Sequence, residues 1–179
     1  MQENRTKKMV LCAILIALSV ILGEIKIIHM PFGGSITLFS MLAATLTGYF
    51  CGWRWGLSSG LVIGLLNLVF GGQVIHPIQL VLDYILAFTV LGLSGFFQNK
   101  KGGLYIGYIV SVLSRFFISF LSGWIFFGSY APEGMYPWAY SFVYQASYIL
   151  PEMAITLVVL LIPAVHKTIF RLKNSYSNK

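Results

Sequence analysis

One carboxylate lies inside one of the most apolar stretches of this sequence, H-P-I-Q-L-V-L-D-Y-I-L-A-F at residues 76–88. Gln79 and Asp83 are four residues apart, so on a helix they share a face, and Tyr84 flanks them. An Asp at the centre of a membrane helix costs about 2.5–3.5 kcal/mol, so it normally faces a bundle interior or a water-filled cavity. Asp83 is therefore predicted to face the bundle interior or a cavity, and His76 before Pro77 is predicted to cap this helix.

Two further ionisable residues, Arg115 and Glu152, lie in other apolar runs. Intramembrane charges commonly pair with one another, which leaves two arrangements open. In the first, Arg115 pairs with Asp83 and the acid is structural. In the second, Arg115 pairs with Glu152 and Asp83 stays available to a ligand.

Aromatic residues and one amide follow in the last third of the chain. Tyr140, Tyr144 and Tyr148 recur every four residues, and Gln145 lies among them. The preceding apolar run contributes a second group around a glycine, which lets a ligand or a helix approach closely: Phe116, Phe117, Phe120, Gly123, Trp124 and Phe127. A carboxylate, an amide and several aromatic faces at one depth suit a flat, nitrogen-rich, cationic organic molecule.

The composition places these residues in a membrane protein. The chain has 179 residues, of which 58% are hydrophobic and 9% charged, and its mean hydropathy is +0.82. About 20 apolar residues cross a bilayer. The sequence predicts one all-α transmembrane domain over residues 1–179, a six-helix bundle whose first run is a span and not a cleaved signal peptide. The six predicted spans are 9–28, 35–52, 56–71, 78–97, 103–127 and 139–165.

Lys and Arg residues predict the orientation of the bundle. With both termini in the cytoplasm, only Lys26 lies on the outer side. The cytoplasmic side then carries ten cations: Arg5, Lys7, Lys8, Arg54, Lys100, Lys101, Lys167, Arg171, Lys173 and Lys179. The net charge of +7 is explained by this topology and by contact with anionic lipid, not by a nucleic-acid partner.

Several chemistries have no support in the sequence. Cys12 and Cys51 both lie in apolar runs, so they are predicted to be free thiols, and two thiols cannot complete a zinc site. There is no G-x-x-x-x-G-K-[ST] loop to hold nucleotide phosphates. If this protein moves a solute uphill with ATP, another subunit must hydrolyse the ATP.

Three segments together resemble the thiamine-specific substrate-binding components of energy-coupling factor transporters: H-P-I-Q-L-V-L-D-Y-I-L-A-F, L-S-G-W-I-F-F-G-S-Y-A-P-E-G-M and Y-S-F-V-Y-Q-A-S-Y-I-L-P-E. The resemblance implies a six-helix bundle in the bacterial cell membrane that binds extracellular thiamine. It also implies no cofactor of its own, and as partners a coupling transmembrane subunit and two ATPase subunits. The loop between helices 1 and 2, which contains Gly33 and Gly34, would be a lid.

The resemblance assigns roles to individual residues. Asp83 and Tyr84 would bind the aminopyrimidine ring, and Phe127 would stack on the thiazolium. Gly123 on helix 5 would border the site.

On the remaining walls, Tyr140 and Gln145 would complete the site from helix 6, and Phe32 would be a lid aromatic. Ser119 stands where the family often has a stacking His, and Gln145 where it often has Asn. Asp83 is one methylene shorter than the Glu of some members, so the walls are expected to be looser.

A small-residue pair on helix 1 would dock the partner. The family carries an A-x-x-x-A pattern there, and this chain has Ala13 and Ala17, which lie on one helical face.

Three other functions remain open from the residues alone. The chain could be a substrate-binding component for hydroxymethylpyrimidine or riboflavin. It could be a small membrane enzyme using Glu152 and His76 as acid and base. It could also be a stand-alone proton-coupled carrier, although it has no clear internal repeat.

Overall fold

The structure is a computed structural model that describes residues 2–30 and 34–177. It is a bundle of helices with one short β-hairpin and one short 3₁₀ turn. The elements are α1 (Gln2–Glu24), β1 (Lys26–His29), β2 (Ser35–Thr37), α2 (Ser40–Cys51), α3 (Trp53–Val69), α4 (Pro77–Phe97), α5 (Gly103–Phe126), the 3₁₀ turn (Gly128–Tyr130), α6 (Pro137–Leu161) and α7 (Pro163–Ser177).

Four of the described helices are long and apolar enough to cross a membrane. They are Arg5–Glu24, Pro77–Phe97, Gly103–Phe126 and Pro137–Leu161. α2, with 12 residues, and α3, with 17, are shorter than a full span. The prediction of a helical membrane protein is therefore confirmed, with four spans by length where the sequence predicts six.

The first two predicted spans have different boundaries in the structure. α1 ends at Glu24, not at residue 28, because the following residues form β1 and pair antiparallel with β2. Ile28 lies opposite Ile36, and His29 opposite Ser35. β-Branched residues favour a strand, but they are as hydrophobic as the residues of a membrane helix. Hydropathy therefore does not distinguish the hairpin from the end of a helix.

The last predicted span, 139–165, is also too long. α6 ends at Leu161, and Ile162 is extended because Pro163 follows it. Pro163 then begins α7, a separate helix whose first residues belong to the predicted span. Lys173 attaches α7 to the bundle: its Nζ donates to the Gln98 carbonyl and lies over the Tyr49 ring. Burial there lowers the pKa of Lys173.

A row of glycines on α3 brings α4 unusually close. Gly56, Gly60 and Gly64 are four residues apart and share one face. A Cβ atom added at Gly60 would lie 2.8 Å from the Thr89 Cα, and one at Gly64 would overlap the Tyr84 carbonyl. Small residues at such spacing let two helix backbones touch. The glycine face of α3 therefore sets the position of α4 at Tyr84.

The backbone of α4 is irregular where it carries the acid. The segment Val81–Leu86 is π-helical, and Val90–Phe97 is 3₁₀. A π-helical turn is rare and is frequently found at functional sites. Asp83 and its neighbour Tyr84 lie within this wider turn, and both reach the same cavity.

Candidate functional site

A cavity of about 660 Å³ opens among α3, α4, α5 and α6. Its size is within the range of roughly 300–1,000 Å³ that small-molecule sites occupy. The lining combines charged, amide and aromatic side chains with backbone from the loop after α3. The lining residues are Gly23, Glu24, Lys26, Asn67, Phe70, Gly71, Gly72, Gln73, Gln79, Asp83, Tyr84, Phe88, Arg115, Ser119, Gly123, Phe127, Tyr130, Tyr140, Ser141, Tyr144, Gln145 and Tyr148.

The structure brings together the ligand-site residues predicted from the sequence wherever it describes them. All of the following line the cavity: Gln79, Asp83, Tyr84, Ser119, Gly123, Phe127, Tyr140 and Gln145. Phe32 and Gly33 lie outside the described residues. Ala13 and Ala17 are not in the lining and are exposed on α1.

Gln79 orients the Asp83 carboxylate. The Gln79 side chain is 1% exposed, and its Nε2 donates to Asp83 Oδ2 over 2.6 Å. The same amide contacts the loop before α4: its Oε1 accepts from the Ile75 N–H at 3.2 Å, and its Nε2 lies 3.3 Å from the Gln73 carbonyl oxygen. The bond from Gln79 occupies only part of the acceptor capacity of the carboxylate, so Asp83 can receive a further hydrogen bond from a ligand in the cavity.

Arg115 is not locked to either acid. Within the described residues it forms no ion pair at 4.0 Å or less with Asp83 or with Glu152, so neither predicted pairing is present as a salt bridge. Its guanidinium carbon lies 4.2 Å from the centroid of the Phe88 ring, and the side chain lines the cavity. The cavity lining thus contains both the Asp83 carboxyl and the Arg115 guanidinium, with no salt bridge between them.

Tyr84 attaches a loop to α4. Its hydroxyl accepts from the Gln73 N–H at 2.9 Å and lies 3.4 Å from the Gln73 carbonyl oxygen. The loop between α3 and α4 is thereby held at the edge of the cavity. Because the hydroxyl is already engaged, the part of Tyr84 that remains for a ligand is its ring.

The wall between α5 and α6 is built from polar contacts. Gly123 faces Ser141, whose Oγ donates to the Phe120 carbonyl at 2.7 Å, so this glycine admits the neighbouring helix. The Gln145 amide is held at both ends: Nε2 donates to the Ser119 carbonyl at 3.2 Å, and Oε1 accepts from the Tyr148 hydroxyl at 2.5 Å. Gln145 is therefore a fixed polar group with one N–H left to donate.

The tyrosines of α6 form a continuous aromatic wall. The ring centroids of Tyr140 and Tyr144 are 6.1 Å apart, and those of Tyr144 and Tyr148 are 5.8 Å apart. Phe127 and Tyr130 pack at 6.0 Å. All five rings line the cavity. Their negative faces attract a cation, which supports the predicted chemistry of the ligand.

Several lining residues were not assigned to the site from the sequence. The four-residue tyrosine repeat signalled Tyr144 and Tyr148, and the intramembrane charge signalled Arg115. Nothing in the sequence distinguishes Asn67 of α3, or Glu24 and Lys26 near the hairpin, from ordinary polar residues at helix ends. They nonetheless line the cavity.

The candidate acid and base of an enzyme are both engaged elsewhere. His76 caps α4, as predicted: its Nδ1 accepts from the Ile78 N–H at 3.1 Å, and its ring stacks on Phe126. Glu152 is bound to Thr37 and does not line the cavity. The described residues also contain no group of three or more His, Cys, Asp or Glu that could hold a metal ion.

Comparison with known proteins identifies the family. The sequence model of the thiamine transporter protein family matches residues 9–171. The thiamine transporter ThiT of Bacillus subtilis (strain 168) is 35% identical over 175 residues, covering 89% of this chain and 91% of that protein. ThiT of Lacticaseibacillus paracasei is 34% identical over 118 residues, covering 56% and 59%.

A solved structure of ThiT from Listeria monocytogenes has the same fold. It matches with a TM-score of 0.79 at 24% sequence identity, covering 94% of this chain and 98% of that one. The family resemblance drawn from the three sequence segments is thus confirmed, and this chain belongs to the thiamine transporter protein family.

Proposed function

We propose that this chain is the thiamine-binding component of an energy-coupling factor importer. It captures thiamine from outside the cell and delivers it through a coupling transmembrane subunit and two ATPase subunits. Asp83 carries the proposal: Gln79 holds this carboxylate beside a cavity walled by aromatic rings. The relatives named as thiamine transporters support the choice of ligand.

The chemistry of thiamine matches the two sides of the cavity, the aromatic wall and the side that carries the Asp83 carboxylate. Its thiazolium is a fixed cation and gains about 0.5–2 kcal/mol from each aromatic face. Phe127 and the tyrosine wall offer such faces. Its aminopyrimidine presents a donor beside an acceptor. Asp83 accepts from the donor, while the free N–H of Gln145 and the ring of Tyr84 orient the remainder.

The proposed orientation places the cavity towards the outside of a bacterial cell membrane. Both termini are then cytoplasmic, and the hairpin of β1 and β2 covers the outer end of the bundle as the lid. Lys26 of β1, which lines the cavity, is the one Lys or Arg on that side apart from Arg115 in α5.

Titration calorimetry tests the choice of ligand. We expect purified protein to bind thiamine far more tightly than hydroxymethylpyrimidine, the thiazole alcohol or riboflavin, because only thiamine fills both sides of the cavity. Tighter binding of riboflavin or of the free pyrimidine would assign the chain to another vitamin. ATP hydrolysis by the purified chain would contradict the proposal that separate subunits hydrolyse the ATP.

Substitutions on α1 test the partner separately. Ala13 and Ala17 are exposed, and they lie among large exposed apolar residues that face lipid or another subunit. We expect Ala13→Leu with Ala17→Leu to abolish thiamine uptake into vesicles that contain the coupling and ATPase subunits, because the added bulk prevents close helix approach.

The same double variant should bind thiamine with unchanged affinity in detergent, since neither residue lines the cavity. Ile14→Leu, a change of shape on the same exposed helix, is the matched control and should retain uptake. Normal uptake by the alanine variants would remove this surface from the docking interface.

A further inference from the structure

Glu152 is a buried acid that the ligand site does not use. It is 3% exposed and lies on α6 just after Pro151. Its Oε2 accepts two hydrogen bonds from one residue of β2, from Thr37 N–H at 3.0 Å and from Thr37 Oγ1 at 2.8 Å. Its Oε1 has no hydrogen-bond partner in the part of the chain that the structure describes.

Such an arrangement is poorly suited to stabilising the bundle. Burying a carboxylate with one oxygen unsatisfied is costly, and a well-packed apolar residue usually serves stability better. The side chain instead fixes one strand of the hairpin to one position on α6. Thr37 and Glu152 are 115 residues apart in sequence, so this contact closes a long loop.

The polar contacts continue from Thr37 into two more helices. Thr37 Oγ1 lies 2.7 Å from Ser40 Oγ at the start of α2, and the Ser40 carbonyl accepts from Ser19 Oγ of α1 at 2.9 Å. Between Thr37 and Ser40 in the chain, Phe39 has a φ of 58°, in the left-handed region that a bulky residue rarely adopts. A strained junction of this kind persists only where its surroundings hold it.

The hairpin rests on the cavity wall one helical turn from this anchor. A Cβ atom at Gly34 would overlap the Tyr148 ring, so the hairpin backbone lies directly on that ring. Tyr148 lines the cavity and donates to Gln145. Tyr148 and Glu152 are four residues apart and share a face of α6. The anchor and the contact with the cavity wall are therefore adjacent.

We propose that Glu152 is a positioning residue that, through its two hydrogen bonds to Thr37, holds the hairpin against Tyr148 at the edge of the cavity. Removing the carboxylate frees β2 from α6. Tyr148 then loses the backbone packed against it, and the ligand escapes faster. The ligand part of this inference rests on the proposed function; the anchoring part does not.

Spin labels measure the anchor in the absence of any ligand. The labels are placed at exposed positions with His29→Cys on β1 and Glu133→Cys in the loop before α6, in a Cys12→Ala, Cys51→Ala background. Double electron–electron resonance should give a narrow distance distribution in this parent. We expect Glu152→Ala to broaden it and shift it to longer distances.

Two further substitutions separate anchoring from general packing. Thr37→Val removes the hydroxyl donor and should broaden the distribution less, because the backbone N–H remains. Thr156→Val is the matched control: Thr156 is buried one turn further along α6, and its Oγ1 donates to the Glu152 carbonyl of the same helix and not to the hairpin. It should reproduce the parent distribution. A parent-like distribution for Glu152→Ala would overturn the proposal.

Dissociation kinetics test the consequence for thiamine. We expect Glu152→Ala to raise the dissociation rate more than tenfold in stopped-flow measurements, and the isosteric Glu152→Gln to stay within about threefold because its carbonyl still accepts from Thr37. Glu152→Ala combined with Thr37→Val should be no faster than Glu152→Ala alone, since both remove the same contact.

The outcomes are distinguishable. Additive effects of the two substitutions, or faster dissociation with no change in the spin-label distances, would contradict the anchor. If the parent does not bind thiamine, the proposed function fails, and the ligand-free distances still decide whether Glu152 holds the hairpin.

Discussion

Asp83→Asn is expected to weaken thiamine binding by more than tenfold, about 1.4 kcal/mol or more, while the protein still folds. The Asn carbonyl can keep the bond to Gln79 Nε2 that the carboxylate now accepts. Its amide N–H₂ group then faces the cavity where an acceptor stood. The substitution therefore removes the negative charge and presents a donor to the amino group of the pyrimidine.

Titration calorimetry measures this effect, and a second carboxylate provides the control. Glu24 also lines the cavity but is exposed, so solvent screens its charge. Glu24→Gln should change thiamine affinity by less than about threefold. Equal affinities of Asp83→Asn and the parent would remove Asp83 from the binding site. Equal losses in the two variants would indicate a general effect of cavity charge.

Gly64→Ala should damage both the fold and the site. The added Cβ would overlap the Tyr84 carbonyl, which belongs to the backbone and cannot rotate away. α3 and α4 must separate at the π-helical turn that carries Asp83. Overpacking of this kind typically costs about 1–3 kcal/mol. We expect a lower thermal unfolding midpoint and, because Asp83 moves with its helix, a loss of thiamine affinity on the order of tenfold.

Gly23→Ala is the matched control for stability. Gly23 lies within α1, and a Cβ there would meet Ser40 Cβ at 3.7 Å, an ordinary contact. Alanine in a helix is more favourable than glycine by about 0.5–1 kcal/mol, so its unfolding midpoint should not fall. Circular dichroism would confirm that both variants remain helical. An unchanged midpoint and affinity in Gly64→Ala would show that the glycine face does not position α4.

Part of the cavity lining could be predicted because it depends on local helix geometry. Gln79 and Asp83 share a face for reasons of spacing alone, and the hydrogen bond between them follows from it. The tyrosines of α6 were recognisable in the same way. The G-x-x-x-G spacing of α3 was equally legible and indicates a face for close helix packing, but it does not identify α4 as the partner.

The predicted span boundaries were wrong where hydropathy does not determine the backbone conformation. Residues 26–29 continue the apolar run of α1 in the sequence, but they form a strand because they pair with β2, which follows in the chain. The break in the helix at Ile162 depends on Pro163, and the effect of one proline is lost when hydropathy is averaged over a window. Charge alone allows Arg115 to pair with either acid, whereas the structure places its guanidinium over Phe88.

The sequence by itself determined the class of protein and most of the helices, because composition and helical periodicity are local properties, and three of its segments carried the resemblance to the family. Only the tertiary structure decided which side chains meet. Gln145 is fixed by the Ser119 carbonyl, and Glu152 by Thr37 across 115 residues. Such contacts depend on how each helix is rotated and how closely it packs, and these are set by all of its neighbours together.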